Sequence, residues 1–389
     1  MGGSMHPAIA RKETMTSRDR VRNAVLHRPT DRMPIDLGVH FSTGISAFAY
    51  RNLREHLGLS TDGIVLIDPV QCLARVDEDI LERFHCDCMI LRPAFSGRNR
   101  WGPRAPYNFS IPDDMKPRLD ERGQWVVESD KGRMRMPKNG YFFDGDWLSF
   151  YDGSEGSPQF DATVREAERI YKETPYFSMF MELSAYFDGS MDGLCDMLTD
   201  PEDILEKNER ALQANLKRAG AIIDRMGSWI GGIALNSDLG MQQGPLCNPA
   251  VYDALSAPFL KRFCDFIHRN SDLHIFLHSC GSILPLLPTL IDCGIDILNP
   301  VQISAANMDP QTLKARFGDK LTFWGGGCNT QAVLNTGTPE QVADNVRTLT
   351  RIFKPGGGFV FNQVHNVMGD IPPENIVAML DTAYEEAWG

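Results

Sequence analysis

The sequence lacks any long hydrophobic run. No apolar stretch in its 389 residues reaches the roughly 18 residues that a membrane-spanning helix needs. The opening segment MGGSMHPAIARKETMTSRDR also lacks the apolar core of a secretory signal. Short repeats of the solenoid or propeller kind are missing as well. We therefore expect a cytoplasmic protein that has no membrane partner.

Positive charge is in short supply. With 39 Lys and Arg residues against 51 Asp and Glu residues, the formal net charge is −12. Such an acidic balance argues against nucleic acid or an anionic membrane as the main partner. The apolar content of 42% is ordinary for a globular protein, so a chain of this length can bury a sizeable core.

The cysteines do not form a disulfide framework. There are nine of them, an odd number, spread along the chain from Cys72 to Cys328. In a chain of this length that distribution indicates a reducing compartment. Some of the thiols are then expected to be buried hydrophobic groups, and others are free to bind metal.

What the sequence does contain is a recurring apolar run followed, in most cases, by an amphipathic stretch. This alternation predicts parallel strands connected by helices, in a single α/β domain over residues 1–389. The number of runs predicts a (β/α)8 TIM barrel, with a doubly wound open sheet as the rival architecture. The runs lie at 32–38, 86–93, 175–183, 228–238, 273–279, 294–300, 320–326 and 357–363.

One segment interrupts this pattern. Residues 94–165 are rich in Gly, Pro, Asp and aromatic residues, with short alternating runs such as GQWVVES. We interpret the segment as an irregular, β-hairpin-rich insertion after the second strand. Long ordered loops tend to be functional, so we expect it to decorate the active-site mouth.

Chemistry in TIM barrels takes place at the carboxyl ends of the strands. Glu182 and His365 are the candidate catalytic groups there, and Asp238, Asn299 and Gln302 are the candidate cofactor-binding residues. The complete set of polar or metal-ligating residues at predicted strand ends is Asp36, Glu182, Asp238, His278, Cys280, Asn299, Gln302, Cys328 and His365.

Three of these residues predict a metal site. His278 and Cys280 are two residues apart at the end of the run IFLHS, so their side chains point to the same side of an extended segment. Cys328 directly follows the run WGGG after another strand. One histidine and two thiolates suit zinc with an open fourth position. The structural alternative is that His278 is a hydrogen-bonded core histidine and Cys280 a buried hydrophobic group.

The roles of the neighbouring groups stay open at this point. His365 is interpreted as a fourth ligand, a proton donor or a substrate contact. Glu182 and Asp238 are interpreted either as partners that orient His278 or as ligands themselves. A rival cluster in the segment FHCDC, at residues 84–88, precedes its strand and therefore belongs to the opposite mouth of the barrel.

Several motifs resemble the uroporphyrinogen decarboxylase superfamily. They are HSCGSILPLLPTLIDCGIDILNPVQ (278–302), LTFWGGGCNTQAVLNTGTPEQV (321–342), GGGFVFNQVHNVMGDIPPENIVAML (356–380), RDRVRNAVLHRPTDRMPIDLG (18–38) and DGSMDGLCDMLTDPEDILEKN (188–208). Together they cover most of the chain outside residues 94–165. The resemblance implies a (β/α)8 barrel, in agreement with the number of apolar runs.

The superfamily has two chemistries. Its metal-free decarboxylases carry an N-terminal Arg-rich signature, whereas the corresponding stretch here, MPIDLGVHFSTGISAF, contains no arginine. Its cobalamin-dependent methyltransferases hold zinc through a His-x-Cys pair, which HSCG matches at His278 and Cys280. In the coenzyme M methyltransferases the last cysteine lies near the carboxyl terminus, where this chain has His365. The resemblance therefore leaves Cys328, His365 or both to complete the zinc site.

The resemblance implies a zinc-dependent methyltransferase. Such an enzyme moves a methyl group between a small methylated compound or thiol and cobalamin (a corrinoid) carried by a partner corrinoid protein. The alternative is a uroporphyrinogen decarboxylase-like lyase that uses the same barrel without cobalamin. A third possibility, of a different class, is a binding protein without catalytic activity on the same scaffold.

Overall fold

A computed structural model describes residues 12–93, 95 and 97–388 of the chain. The helices in this part of the chain are α1 (Ser17–Val25), α2 (Ala47–His56), α3 (Glu78–Arg83), α4 (Pro158–Glu173), α5 (Met191–Thr199), α6 (Pro201–Met226), α7 (Pro249–Leu255), α8 (Ala257–Asn270), α9 (Leu287–Cys293), α10 (Pro310–Phe317), α11 (Pro339–Phe353) and α12 (Pro373–Ala387). A 3₁₀ turn at Leu284–Leu286 and a π-helical turn at Thr330–Leu334 complete them.

The strands are short. They are β1 (Leu66–Asp68), β2 (Leu73–Ala74), β3 (Asn99–Trp101), β4 (Phe109–Ile111), β5 (Arg118–Leu119), β6 (Gln124–Ser129), β7 (Gly132–Pro137), β8 (Asp144–Gly145), β9 (Phe180–Ser184), β10 (Gly232–Asn236), β11 (His274–His278), β12 (Ile297–Asn299), β13 (Thr322–Trp324) and β14 (Phe359–Val360).

The main sheet is parallel and confirms the predicted α/β class. Its order is β14-β13-β12-β11-β10-β9, so strands that follow one another in the chain are neighbours in space. Most residues of these strands are buried, as expected when helices cover a parallel sheet. Because all six strands run the same way, their carboxyl ends, including His278 and Asn299, meet at one edge.

The first two predicted strands are reduced to isolated bridges. Ile35 pairs in parallel with Phe361, just after β14, and Cys88 pairs in parallel with Phe177, just before β9. The two segments also meet each other, since the Asp87 N–H donates to the Ile35 carbonyl at 2.7 Å. Six of the eight predicted runs therefore supply strands of the sheet. The other two pair with residues that lie directly beside the two edge strands, β14 and β9.

The irregular segment contains antiparallel hairpins, as the sequence predicts. β3 pairs with β4, and β5 to β8 form a second antiparallel sheet. Helix α4 already begins at Pro158, so the irregular segment ends before that residue and not at residue 165. Residues 94 and 96 lie outside the part of the chain that the structure describes.

A buried ion-pair network lies at the end of the sheet opposite to its carboxyl edge. Asp87 accepts hydrogen bonds from Arg20 at 2.5 Å and from Arg32 at 2.8 Å, and all three side chains are almost fully buried. His85 stacks on Tyr384 with ring centroids 3.6 Å apart. The segment around the FHCDC motif thus contributes to packing and charge pairing at this end.

No helix in the described ranges combines the length and the apolar character that crossing a membrane requires.

Candidate metal centre

His278, Cys280 and His365 come together at the carboxyl edge of the sheet. Their potential ligand atoms all lie within 4.8 Å of one another, and they are the only such group of His, Cys, Asp or Glu among the described residues. His278 is the last residue of β11, and the Cys280 Sγ lies 3.8 Å from its Nε2. The two-residue spacing places both side chains on the same side, as the sequence predicts.

His365 reaches the group from the loop after β14. It has a φ of +61°, in the left-handed region that residues other than glycine seldom occupy. Its carbonyl accepts a hydrogen bond from the Gln363 side chain at 2.8 Å. The Asn362 amide donates to the Asp36 carbonyl at 3.0 Å, which ties the start of the loop to the amino-terminal part of the chain. These contacts turn the His365 ring toward His278, with ring centroids 5.6 Å apart.

Cys328, the predicted third ligand, is not part of this group, and His365 is its third member. The Cys328 side chain is fully buried among core hydrophobic residues. Backbone hydrogen bonds fix the segment, because the Val364 N–H donates to the Cys328 carbonyl and the Gly327 N–H to the Asn362 carbonyl. The preceding glycines therefore do not leave this thiol in an open loop. Burial raises its pKa to about 12, as for an ordinary core cysteine.

Asn299 orients the His278 ring. Its Oδ1 lies 3.0 Å from the His278 Nδ1, while its Nδ2 donates to the Trp324 carbonyl at 2.9 Å. Since the amide oxygen can only accept, His278 carries its proton on Nδ1 and directs the Nε2 lone pair at Cys280. Fixing a ligating histidine through its other nitrogen is a common feature of metal sites.

Asp238 and Gln302 shape the turn that carries Cys280. The Cys280 N–H donates to the Asp238 carboxylate at 2.9 Å, and the Gly281 N–H donates to the Gln302 side chain at 2.8 Å. Gly281 has a φ of +89°, and a Cβ there would lie 2.3 Å from the backbone of Gly240. A side chain at Gly281 would therefore displace the turn. The candidate cofactor-binding residues Asp238, Asn299 and Gln302 thus support His278 and Cys280 directly.

Glu182 lies within β9. Its side chain is outside the described part of the structure, so its predicted catalytic role stays a prediction.

His40 and Ser42 belong to the site although the sequence analysis did not select them. The Ser42 hydroxyl donates to the Asn299 Oδ1 at 2.5 Å and lies 2.7 Å from the His40 Nδ1. The His40 ring is almost fully buried and 5.6 Å from that of His278. Its Nε2 has no hydrogen-bond partner among the described residues. Both residues follow the first predicted strand, so the strand-end criterion would have found them.

Burial sets the protonation of the three candidate ligands. It lowers the pKa of His365 to about 4 and also lowers that of His278. It raises the pKa of the Cys280 thiol, with the Asp238 carboxylate acting in the same direction. At neutral pH both imidazoles are therefore neutral donors, and the thiol retains its proton until a metal displaces it.

His278 and His365 of this group line a cavity of about 680 Å³. His40, His278, His365 and Asp238 lie on one side of it. The hairpin-rich segment supplies another wall, from Phe142 to Tyr151. Side chains of that segment therefore line the cavity, and its expected place at the mouth of an active site stays a prediction.

The donor set fits zinc. Zinc takes imidazole nitrogen at about 2.0–2.1 Å and thiolate sulfur at about 2.3 Å in tetrahedral geometry, which puts two such ligands about 3.6 Å apart. The 3.8 Å between the His278 Nε2 and the Cys280 Sγ is close to that separation. Three protein ligands leave a fourth position for substrate, as in catalytic zinc sites.

A protein-family comparison matches residues 235–386 to the model described as uroporphyrinogen decarboxylase (URO-D). Two curated proteins named uroporphyrinogen decarboxylase, from Psychromonas ingrahamii and Pseudoalteromonas translucida, are each 25% identical to this chain over 174 residues. Each match covers 43% of this chain and 46% of the relative. The chain therefore spans about half the length of the curated relatives it matches.

The fold as a whole resembles that of a solved methyltransferase from Methanosarcina mazei. The TM-score is 0.58 at 14% sequence identity, and the superposition covers 96% of this chain and 99% of the other. At this identity the likeness establishes a shared fold.

Proposed function

We propose that the protein is a zinc-dependent methyltransferase of the superfamily whose uroporphyrinogen decarboxylase (URO-D) model matches residues 235–386. It would move a methyl group between a small methylated compound or thiol and cobalamin carried by a partner corrinoid protein. The observation that carries the proposal is the convergence of His278, Cys280 and His365, whose potential ligand atoms lie within 4.8 Å of one another. The fold shared with a methyltransferase supports it.

The proposal includes a closed (β/α)8 barrel. Six parallel strands form an open arc from β9 to β14. The bridges of Cys88 with Phe177 and of Ile35 with Phe361, together with the Asp87–Ile35 hydrogen bond, support closure through the two amino-terminal segments. The segment that contains His40 and Ser42 already lies beside His278, at the strand ends where chemistry occurs in such barrels.

His278, Cys280 and His365 would hold the zinc. When bound, the ion supplies Lewis acidity toward a heteroatom of the methylated compound, or holds a thiol acceptor as its thiolate. The chain's own part is to present two neutral imidazoles and one thiol. The thiol would release its Sγ proton to water on binding the metal, and Asn299 keeps the His278 proton on Nδ1. Asp238 holds the Cys280 backbone and accepts no proton in this scheme.

Methyl transfer balances without an oxidant or a reductant. The bond between the methyl carbon and its heteroatom breaks, and the heteroatom keeps the electron pair. The methyl group leaves as a methyl-cation equivalent and bonds to the lone pair of the reduced corrinoid. In the other direction the methyl–cobalt bond would break, cobalt would keep the electron pair, and a thiolate would receive the methyl group. The released heteroatom takes up a proton from water. Of the three histidines that line the cavity, His40 is the one outside the proposed zinc set.

A decarboxylase-like lyase is the alternative, favoured by the names of the curated relatives. The cavity argues against it, because Arg92 is the one Lys or Arg among the described lining residues. The Arg92 guanidinium lies over the rings of Tyr151 and Phe41, at 3.9 and 4.8 Å from their centroids. A substrate with many carboxylates would bury charges without enough cationic partners, which is costly.

Elemental analysis and a methyl-transfer assay test the proposal together. We expect about one zinc per chain, and methyl exchange with free methylcobalamin or cob(I)alamin that stops when a chelator removes the metal. Anaerobic incubation with uroporphyrinogen is the counter-experiment. Chelator-insensitive formation of coproporphyrinogen at a rate proportional to enzyme would establish the lyase and reject the methyltransferase.

A further inference from the structure

One short turn of the chain contacts both segments that carry the imidazoles of the candidate metal group. We define this turn as residues 40–44, between the first predicted strand and α2. It is closed on itself, because the Thr43 N–H donates to the His40 carbonyl and the His40 N–H donates to the Thr43 hydroxyl, each at 3.0 Å. All of the turn except Phe41 is buried.

The side chain of Ser42 connects the turn to His278. Its hydroxyl donates to the Asn299 Oδ1 at 2.5 Å, and the same oxygen lies 3.0 Å from the His278 Nδ1. His40 holds Ser42 in place, since its Nδ1 lies 2.7 Å from the Ser42 Oγ and 3.2 Å from the Ser42 backbone nitrogen. A series of hydrogen bonds therefore runs from the turn to the first imidazole.

The Ser42 hydroxyl helps to select which end of the Asn299 amide faces His278. An amide oxygen only accepts hydrogen bonds, and an amide nitrogen only donates them. The Asn299 Nδ2 donates to the Trp324 carbonyl at 2.9 Å. A reversed amide would place its oxygen against that carbonyl and would leave the Ser42 proton without this acceptor. Ser42 and Trp324 thus keep the amide oxygen on the His278 side, where it holds the proton on Nδ1 and leaves Nε2 for a metal.

The backbone of the same turn connects to the loop that carries His365. Three side-chain amides of that loop donate to backbone carbonyls of the turn, and they belong to Asn362, Gln363 and Asn366, at 3.1, 3.3 and 2.8 Å. In return the Gly44 N–H donates to the Asn366 side chain at 2.7 Å. The Gln363 amide also donates to the His365 carbonyl at 2.8 Å, so one side chain joins the turn to the backbone of the second imidazole.

The turn is therefore a shared anchor for two imidazoles that come from different strands. The amides and the hydroxyl in these contacts are almost fully buried. Buried hydrogen bonds are costly to break, because the groups left behind lose a partner and have no access to water. Cys280 depends on other contacts, with Asp238 and Gln302.

We propose that residues 40–44 set the relative placement of the two imidazoles, and that Ser42 is a positioning residue for His278. The effect on zinc rests on the proposed function, because that function assigns zinc to the site. The orientation of His278 in the metal-free protein does not depend on that assignment.

Nitrogen NMR of the metal-free protein tests the role of Ser42 without zinc or corrinoid. The full chain is labelled with isotope-enriched histidine, and the His278→Gln variant identifies the His278 signals. In the natural chain we expect the His278 proton on Nδ1. In Ser42→Ala we expect a measurable fraction of His278 with the proton on Nε2, because the Asn299 amide is then held at one end only. Ser42→Thr keeps a hydroxyl and should restore the natural tautomer.

Zinc affinity, measured by competition with a chromogenic chelator, tests the consequence for the metal site. Ser42→Ala should weaken zinc binding about 2- to 10-fold, which corresponds to one buried hydrogen bond. Gln363→Met should weaken it comparably through His365 and leave the His278 tautomer unchanged. Ser46→Ala is the matched control, since Ser46 is buried just after the turn and its hydroxyl has no hydrogen-bond partner among the described residues. Thermal unfolding shows that each variant is folded.

Two results would overturn the proposal: an unchanged His278 tautomer in Ser42→Ala, or zinc affinities of Ser42→Ala and Gln363→Met that both equal that of Ser46→Ala. Zinc binding that depends on Ser42, without methyl transfer, would reject the proposed function and leave this inference standing. Zinc-dependent methyl transfer with Ser42→Ala indistinguishable from the control would do the reverse. A chain that binds no zinc would reject the proposed function, and the tautomer would then decide the role of Ser42.

Discussion

The side-chain oxygen of Asn299 lies 3.0 Å from Nδ1 of His278 and 2.5 Å from the Ser42 hydroxyl. Asn299 thereby connects the end of β12 to the candidate metal ligand on β11 and to a loop 257 residues away in sequence. One amide fixes both the orientation and the proton position of the imidazole.

Replacing that amide should weaken metal binding. Asn299→Ala removes the acceptor that holds the His278 Nδ1 proton, so zinc affinity should fall about 10- to 100-fold, as for other residues that orient ligands. Competition with a chromogenic chelator measures this loss. Asn375→Ala is the control, because Asn375 is also a buried amide but bonds to the Leu334 and Gly337 carbonyls, which are not part of the metal group. Equal zinc affinities in the two variants would contradict the assigned role of Asn299.

The structure and the sequence prediction differ in the third candidate zinc ligand, which is His365 in the structure and Cys328 in the prediction. His365→Ala should lose most of the bound zinc, because it removes one of three converging donors. Cys328→Ser should keep the zinc, since that thiol is buried in the core. Metal content after dialysis, measured beside thermal unfolding, checks both variants. Full zinc in His365→Ala together with zinc loss in Cys328→Ser would restore Cys328 as the ligand.

Zinc affinity should rise with pH. Burial and Asp238 raise the pKa of the Cys280 thiol, so the free protein holds that proton at neutral pH. Each bound zinc displaces it, and affinity should therefore increase about tenfold per pH unit while the thiol stays protonated in the metal-free form. His365, with a pKa of about 4, adds no proton step between pH 6 and 8. Dissociation constants at pH 6, 7 and 8 measure the slope, which Cys280→Ser should abolish. A flat profile in the natural chain would mean that the thiol does not ligate.

Ionisation of the buried Asp36 carboxyl group should make the folded protein less stable as pH rises. Its carboxylate is fully buried and accepts hydrogen bonds from the Trp324 indole at 2.8 Å and the Val39 N–H at 2.9 Å. Burial raises its pKa from 3.8 to about 6. The folded state therefore binds this proton more tightly than the unfolded state. The resulting stabilisation is present below pH 4 and is lost as pH rises through 6.

Asp36→Asn should remove that pH-dependent loss, because the amide carries no charge. Its single oxygen can accept from Trp324 or from the Val39 N–H but not from both, so the variant also carries a cost that does not change with pH. As pH rises from 4 to 7, the free energy of unfolding of the variant should increase relative to that of the natural chain. The increase should be at most about 3 kcal/mol. Urea unfolding at several pH values gives the difference. Asp319→Asn, at an exposed position, serves as the control. Parallel pH profiles for Asp36→Asn and the natural chain would show that Asp36 does not titrate in this range.

The sequence by itself determined the sheet and two of the three residues of the candidate metal group. Apolar runs followed by amphipathic helices identify β9 to β14, because a buried parallel strand must be hydrophobic on both faces. The period of two along an extended chain places His278 and Cys280 on the same side. The turn-rich composition before α4 likewise predicts the hairpins.

Only the tertiary structure decided the rest. Cys328 and His365 both follow a strand at the same edge of the sheet, and nothing in their local sequence says which side chain faces the cavity. Loop paths set by long-range hydrogen bonds and by the positive φ of His365 turn one inward and leave the other in the core. The same holds for Ser42 and Asn299, which approach only when distant parts of the chain pack together. Local periodicity fixes directions within one strand, whereas contacts between loops depend on packing across the whole domain.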